Sequence, residues 1–164
     1  MASTRHRRRA VNSALVAGAM VVAAVDLTSK ATAPLMADLA PRWVQPMTNS
    51  DLALGVATAA APLLVVLMAA GLLLAVVVVA GLVRRGRSSV TAGSLLLGGA
   101  LGNLVDRAAT GAVHDFLVVG PVVINVADVA VLAGVLAVWR GLARSPIDRS
   151  SHSVAREAQL VEGR

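Results

Sequence analysis

The chain has no cysteine and no tyrosine, one phenylalanine and one lysine, and only 15% of its 164 residues are charged. Without cysteine there is no disulfide, no thiolate nucleophile, no cysteine-ligated metal and no cysteine to carry a lipid. The histidines, His6, His114 and His152, fall in three separate segments, so no metal is expected at a histidine cluster. No Gly-x-Ser-x-Gly turn is present, which removes the usual setting of a serine nucleophile. Charge is missing most conspicuously from residues 60–83, a run of 24 without one ionisable group. A soluble domain carries about 25% charged residues to cover its surface. With 57% hydrophobic residues and a mean hydropathy of +0.76, this chain is excluded from that class.

What is present reads as a membrane domain. Apolar stretches at 11–28, 59–83, 88–105 and 121–139 each approach the roughly 20 residues that carry a helix across about 30 Å of hydrocarbon. Helices are the open-chain solution, because lipid offers no partner to an unpaired amide. The expected architecture is an all-α membrane protein of four transmembrane helices, with a basic segment at 1–10, a four-span domain at 11–140 and a polar, disordered tail at 141–164. Arg5, Arg7, Arg8 and Arg9 precede the first span, Arg84, Arg85 and Arg87 lie between the second and third, and Arg140, Arg144, Arg149, Arg156 and Arg164 follow the fourth. Only Lys30, Arg42 and Arg107 fall on the other side. The positive-inside rule therefore places both termini in the cytoplasm. The formal charge of +6 is a topology signal, and no nucleic acid partner is expected. Arg-rich residues ahead of an apolar run and Ala31-Thr32-Ala33 also imitate a cleavable signal peptide. Asp26 and Lys30, placed where such a peptide stays uncharged, favour an uncleaved helix.

Two external segments follow. Residues 31–58 include Pro34, Pro41 and Pro46, and a short strand pair between residues 43–44 and 52–54 is expected there. Residues 107–120 read as a short loop.

The ionisable groups inside or beside the spans are few: Asp26, Lys30, Asp106, Arg107, Asp115 and Asp128, joined by Asn103 and Asn125. Each such charge costs about 2.5–3.5 kcal/mol on insertion scales when central in a span. In the topology above all of them fall near the external face, and Asp128, seven residues past Pro121, lies about 10 Å into the fourth span. Spacings of three or four residues put Asp26 with Lys30, Asn103 with Asp106 and Arg107, and Asn125 with Asp128 on common helix faces. Asp26 with Lys30, and Asp106 with Arg107, read as local pairs. Asp115 and Asp128 have no such cation, and two carboxylates close together in a low dielectric share a proton. That pair supplies a general base for water and a general acid for a leaving amine, with no metal and no cofactor. A proton-coupled transporter would need polar groups continuing through the spans, and residues 60–83 and 129–138 contain none.

The run Gly98-Gly99-Ala100-Leu101-Gly102-Asn103-Leu104-Val105-Asp106-Arg107, then Gly111-Ala112-Val113-His114-Asp115-Phe116, resembles the glycine-rich block of lipoprotein signal peptidase, or signal peptidase II. Asn125-Val126-Ala127-Asp128 and Asp26-Leu27-Thr28-Ser29-Lys30 are similar to that family's last and first blocks. The resemblance implies a bacterial cell-membrane aspartic endopeptidase with its site near the external face. Such an enzyme cuts lipid-modified prolipoproteins just before the diacylglyceryl cysteine, within a setting of membrane lipids. It implies Asp115 and Asp128 as the catalytic dyad, Asn49, Asn103, Arg107 and Asn125 around the substrate, Asp26, Lys30 and Asp106 in support, and globomycin-type peptides as inhibitors. The segment after Asn49, with Leu27 and Ile124, departs from the family pattern and bears on substrate preference. A catalytically silent relative that only binds lipidated peptides is the other reading.

Overall fold

The computed structural model describes residues 2–50 and 61–144. The expected strand at 52–54, the start of the second span and the tail beyond residue 144 lie outside the described residues. Four helices, α1 (Ala2–Ala37), α2 (Ala61–Arg84), α3 (Val90–Thr110) and α4 (Val126–Ala143), are joined to a small sheet of β1 (Val44–Asn49), β2 (Val113–Val119) and β3 (Val122–Ile124). Among the described residues three stretches are long and apolar enough to cross a membrane: Arg5–Ala37, Pro62–Arg84 and Val126–Ala143. Their large apolar side chains stay exposed, as in Val21, Leu67, Val77 and Leu132, which are all over half accessible. Water would make such a surface aggregate, and lipid matches it.

The 21-residue α3 is different, since glycine, asparagine, aspartate and arginine dilute its apolar character. It is the packing centre of the bundle. A Cβ added to Gly98 would stand 2.5 Å from the Ala19 carbonyl of α1, and one on Gly99 would stand 2.5 Å from the Ala127 carbonyl of α4. Both approaches are possible only because glycine lets backbones close to contact, the usual device where no hydrophobic effect drives helices together in lipid. Leu15, Ala19, Val79, Ala80, Val83 and Leu97 form a buried apolar cluster among α1, α2 and α3. Ser89 caps α3 at its start, accepting from the Ala92 amide, and Gly111 ends it at φ 80°.

The strand organisation corrects three expectations. β1 pairs antiparallel with β2 and β2 with β3, giving the order β1-β2-β3. The partner of the strand after α1 is thus the segment read as a short loop, through Asn49↔Val113, Thr48↔His114 and Met47↔Asp115. Residues 122–124 are β3 and not the opening of the fourth span. Gly120, at φ 59°, and Pro121 make the two-residue turn between Val119 and Val122. α4 therefore starts at Val126, and Asp128 sits in its first turn instead of two turns deep. Finally, α1 continues through Pro34 to Ala37, past the expected end of the first span. Pro34 has no amide hydrogen, so the last turn of α1 forms with one helical hydrogen bond fewer.

Candidate active site

The residues singled out in the sequence converge where the end of α1, the end of α3, the start of α4 and the sheet meet. Lys30 is the hub. Its ammonium lies 2.8 Å from Asp26 Oδ2 and 3.1 Å from Asp106 Oδ2, and donates to Asn103 Oδ1 at 2.9 Å. The ammonium is thus ion-paired with two carboxylates and hydrogen-bonded to one amide oxygen, from two helices, and a buried ammonium needs such partners to persist. Asp26, wholly buried, also accepts the Ala127 amide at 2.8 Å through Oδ1. A carboxylate from α1 thereby occupies one of the orphan donors at the N-terminus of α4.

The start of α4 is closed by a capping box. Asn125 Oδ1 accepts the Asp128 amide at 2.9 Å, and Asp128 Oδ2 accepts the Asn125 amide at 3.2 Å. This arrangement fixes the orientation of two side-chain amides. Asn125 Oδ1 faces a backbone donor, so its Nδ2 turns to Asp115 Oδ1 and donates at 2.6 Å. Asn103 Oδ1 faces an ammonium, so its Nδ2 turns to Asp128 Oδ1 and donates at 2.8 Å. The two aspartates left without a cation in the sequence are therefore linked through one residue, Asn125, whose side chain holds the Asp115 carboxylate and whose backbone amide holds that of Asp128. Asp115 is buried and Asp128 half-buried. Burial, aided by the nearby Asp128 charge, holds the Asp115 carboxyl above the ordinary carboxylate range, against the opposing bonds from Asn125 and Asn49.

All nine candidates enter this network, though not all as expected. Asp106 does not pair with Arg107. Consecutive helix residues point in different directions, and Asp106 faces Lys30 and His114 instead. It accepts the His114 amide at 2.8 Å and lies 2.8 Å from His114 Nδ1. Arg107, also buried, donates to the carbonyls of Ser50 at 3.2 Å and Asn49 at 3.3 Å, tying the end of β1 to α3. Asn49 Nδ2 in turn reaches Asp115 Oδ2 at 3.3 Å. Sequence reasoning did not assign roles to His114, which locks Asp106, or to Pro34, Met47 and Phe116. The last three, with Lys30 and Asp115, line a cavity of about 100 Å³ between α1 and the sheet. Alternation along β2 was the available signal for His114 and Phe116, and it needed 113–119 to be read as a strand. Among the described residues no group of three or more His, Cys, Asp or Glu side chains is arranged to hold a metal ion.

The lipoprotein signal peptidase of Methylorubrum extorquens (strain PA1) is 60% identical over 47 residues, and that of Methylobacterium radiotolerans 53% identical over 47. The match spans 26% of this chain and only 28% of each relative. Two solved bacterial membrane enzymes, determined in meso at 2.3 and 1.9 Å, share the fold with TM-scores of 0.65 and 0.66 at 22% identity. They cover 82% and 80% of this chain, which in turn covers 90% and 93% of them. The model of the signal peptidase II family matches residues 18–142, and with the blocks that build the network all inside that range, the chain belongs to the signal peptidase II family.

Proposed function

We propose that this protein is a membrane aspartic endopeptidase that removes the signal peptide from diacylglyceryl-modified prolipoproteins, cutting N-terminal to the lipidated cysteine. The observation that carries the reading is Asn125, whose side chain donates to the Asp115 carboxylate and accepts the Asp128 backbone amide while its own backbone amide donates to the Asp128 carboxylate. Family membership supports the substrate. The four helices are read as four spans with both termini in the cytoplasm of a bacterial cell, in the inner membrane where one exists. The aspartates then lie near the external face, where a lipidated precursor presents its cleavage point.

The hydrogen bonds divide the labour between the two carboxyls. Asp128 accepts from Asn103 Nδ2 and from the Asn125 amide, and it lies in the first turn of α4, where the helix dipole favours an anion. It is the base. Asp115 Oδ1 is committed as an acceptor, while its Oδ2 has, among the described residues, only the long 3.3 Å contact to Asn49. The proton resides on that Oδ2. Water loses a proton to Asp128 and adds to the scissile carbonyl while Asp115 protonates the oxygen. The C–N bond of the adduct then breaks as Asp128 passes its proton to the leaving amine and Asp115 takes back the hydroxyl proton. Globomycin-type peptides are expected to compete for the same cleft.

Cleavage of a synthetic diacylglyceryl-cysteine prolipoprotein by the purified protein tests this. Asp115→Asn and Asp128→Asn are each expected to lower kcat by about 10²–10⁴-fold, the usual contribution of one acid or base, with substrate binding retained. Binding without any cleavage by the parent protein would instead identify a silent relative.

A further inference from the structure

The end of the bundle opposite the aspartates holds a second cavity, of about 170 Å³, framed by Arg7 and Arg8 of α1, Arg84 at the end of α2 and the turn at Gly86, with Val11 and Val83 as its floor. About 27 Å of helix, at 1.5 Å per residue, separates Arg8 from Asp26, so this cavity is no part of the peptidase site. Among the described residues its charge has no carboxylate beside it. All five carboxylates among the described residues, Asp26, Asp38, Asp106, Asp115 and Asp128, lie toward the other end, and none of the three framing arginines has an ion-pair partner there. Three arginines on the rim of one hollow supply the charge and the N–H donors that a phosphate accepts. A water's share of liquid volume is about 30 Å³, so the hollow has room for a tetrahedral anion.

The surface leading away from the cavity selects the source of that phosphate. On α2, in the turns before Arg84, Leu73, Leu74 and Val77 are each about two-thirds exposed. An acyl chain lying along this stripe would bring its headgroup to the arginines. We propose that the cavity binds the phosphodiester headgroup of an anionic membrane phospholipid, an acyl chain lying against α2. Basic pockets between spans are a recognised setting for anionic headgroups. The proposal rests on the bundle residing in a bilayer and not on the peptidase reading.

The test is thermal unfolding of the full-length protein in neutral detergent, with added phosphatidylglycerol, phosphatidylcholine of the same chains, or inorganic phosphate. Phosphatidylglycerol is expected to raise Tm saturably while the other two do not. The combined variant Arg7→Gln, Arg8→Gln, Arg84→Gln should lose the shift, and Arg140→Gln with Arg144→Gln should keep it. A shift that survives the triple variant, that phosphatidylcholine matches, or that the Arg140/Arg144 variant also loses would overturn the site. Inorganic phosphate reproducing the shift would overturn the lipid assignment. If the triple variant fails to fold, photoactivatable phosphatidylglycerol on the parent protein decides. Its label is expected on residues 7–11 and 83–86, and labelling confined to other segments rejects the proposal.

Discussion

The two ends of this helix bundle are held together by different physics. In the half that contains Leu15, Val79, Val83 and Leu97, apolar side chains fill the space between α1, α2 and α3. In the half that contains Lys30, the same two helices α1 and α3 meet through an ammonium shared by Asp26, Asp106 and Asn103. A packed apolar contact tolerates small shifts, because dispersion forces have no direction. The polar half has no such freedom, since each buried charge depends on a named partner at hydrogen-bond distance. What the polar half gains is placement. Asp26 holds the start of α4 through the Ala127 amide, and Asn103 and Asn125 hold the two aspartates.

The sharpest way to break the comparison is to remove one core group from each half. Lys30→Met leaves Asp26 and Asp106 buried without their cation, and a broken buried pair costs about 3–5 kcal/mol. Activity should fall with stability, because Asn103 loses the donor that fixes its amide toward Asp128. Leu97→Ala opens a cavity in the apolar half at a cost of about 2–5 kcal/mol, yet it should leave kcat near the parent value at a temperature where both remain folded. Unfolding by heat or denaturant, with cleavage assays on the folded fraction, separates the two. Equal loss of kcat in both variants would mean that the halves are not independent.

A milder substitution probes the boundary between them. A Cβ on Gly102 would stand 2.6 Å from Asp26 Oδ2, so Gly102→Ala must push that carboxylate off Lys30. Overpacking of this kind costs about 1–3 kcal/mol. The expected signature is a fall in kcat out of proportion to the fall in Tm, since the displaced group also holds α4.

Most of the polar half was legible in the sequence, for a physical reason. Charges in apolar surroundings are expensive enough that Asp26, Lys30, Asp106 and Asp128 identify themselves, and helical spacing groups them into pairs. Which pair partner each residue chooses was not legible. Asp106 sits beside Arg107 in the chain, but the helix turns between them, and its partners come from α1 and β2. The sheet was partly hidden as well. Val122, Val123 and Ile124 run apolar toward α4, and a short apolar run has no period that separates strand from helix. Only Gly120-Pro121 marked the turn. The pairing of β1 with residues 113–119 is a contact between distant segments, and nothing local to either one encodes it.

The smallest expected effect is also the most specific to Asp115. Burial raises its carboxyl above the ordinary carboxylate value, so the folded protein binds this proton more tightly than the unfolded chain. Its contribution to stability is fully present below the unfolded pKa and is lost as pH rises through the folded one, with a slope of at most about 1.4 kcal/mol per pH unit for one proton. Asp115→Asn removes that slope, so the variant should gain on the parent in Tm as the pH rises from 4 toward neutrality. Leu97→Ala, which lies in the apolar half and titrates nothing, should run parallel to the parent over the same range. The same proton governs catalysis, because activity should decline on the alkaline side once Asp115 ionises, at a pH above the ordinary carboxylate range. Difference curves of Tm against pH for the three proteins in one detergent measure this directly. A flat difference between the parent and Asp115→Asn would show that the proton resides elsewhere in the network, and the assignment of Asp115 as the acid would fall with it.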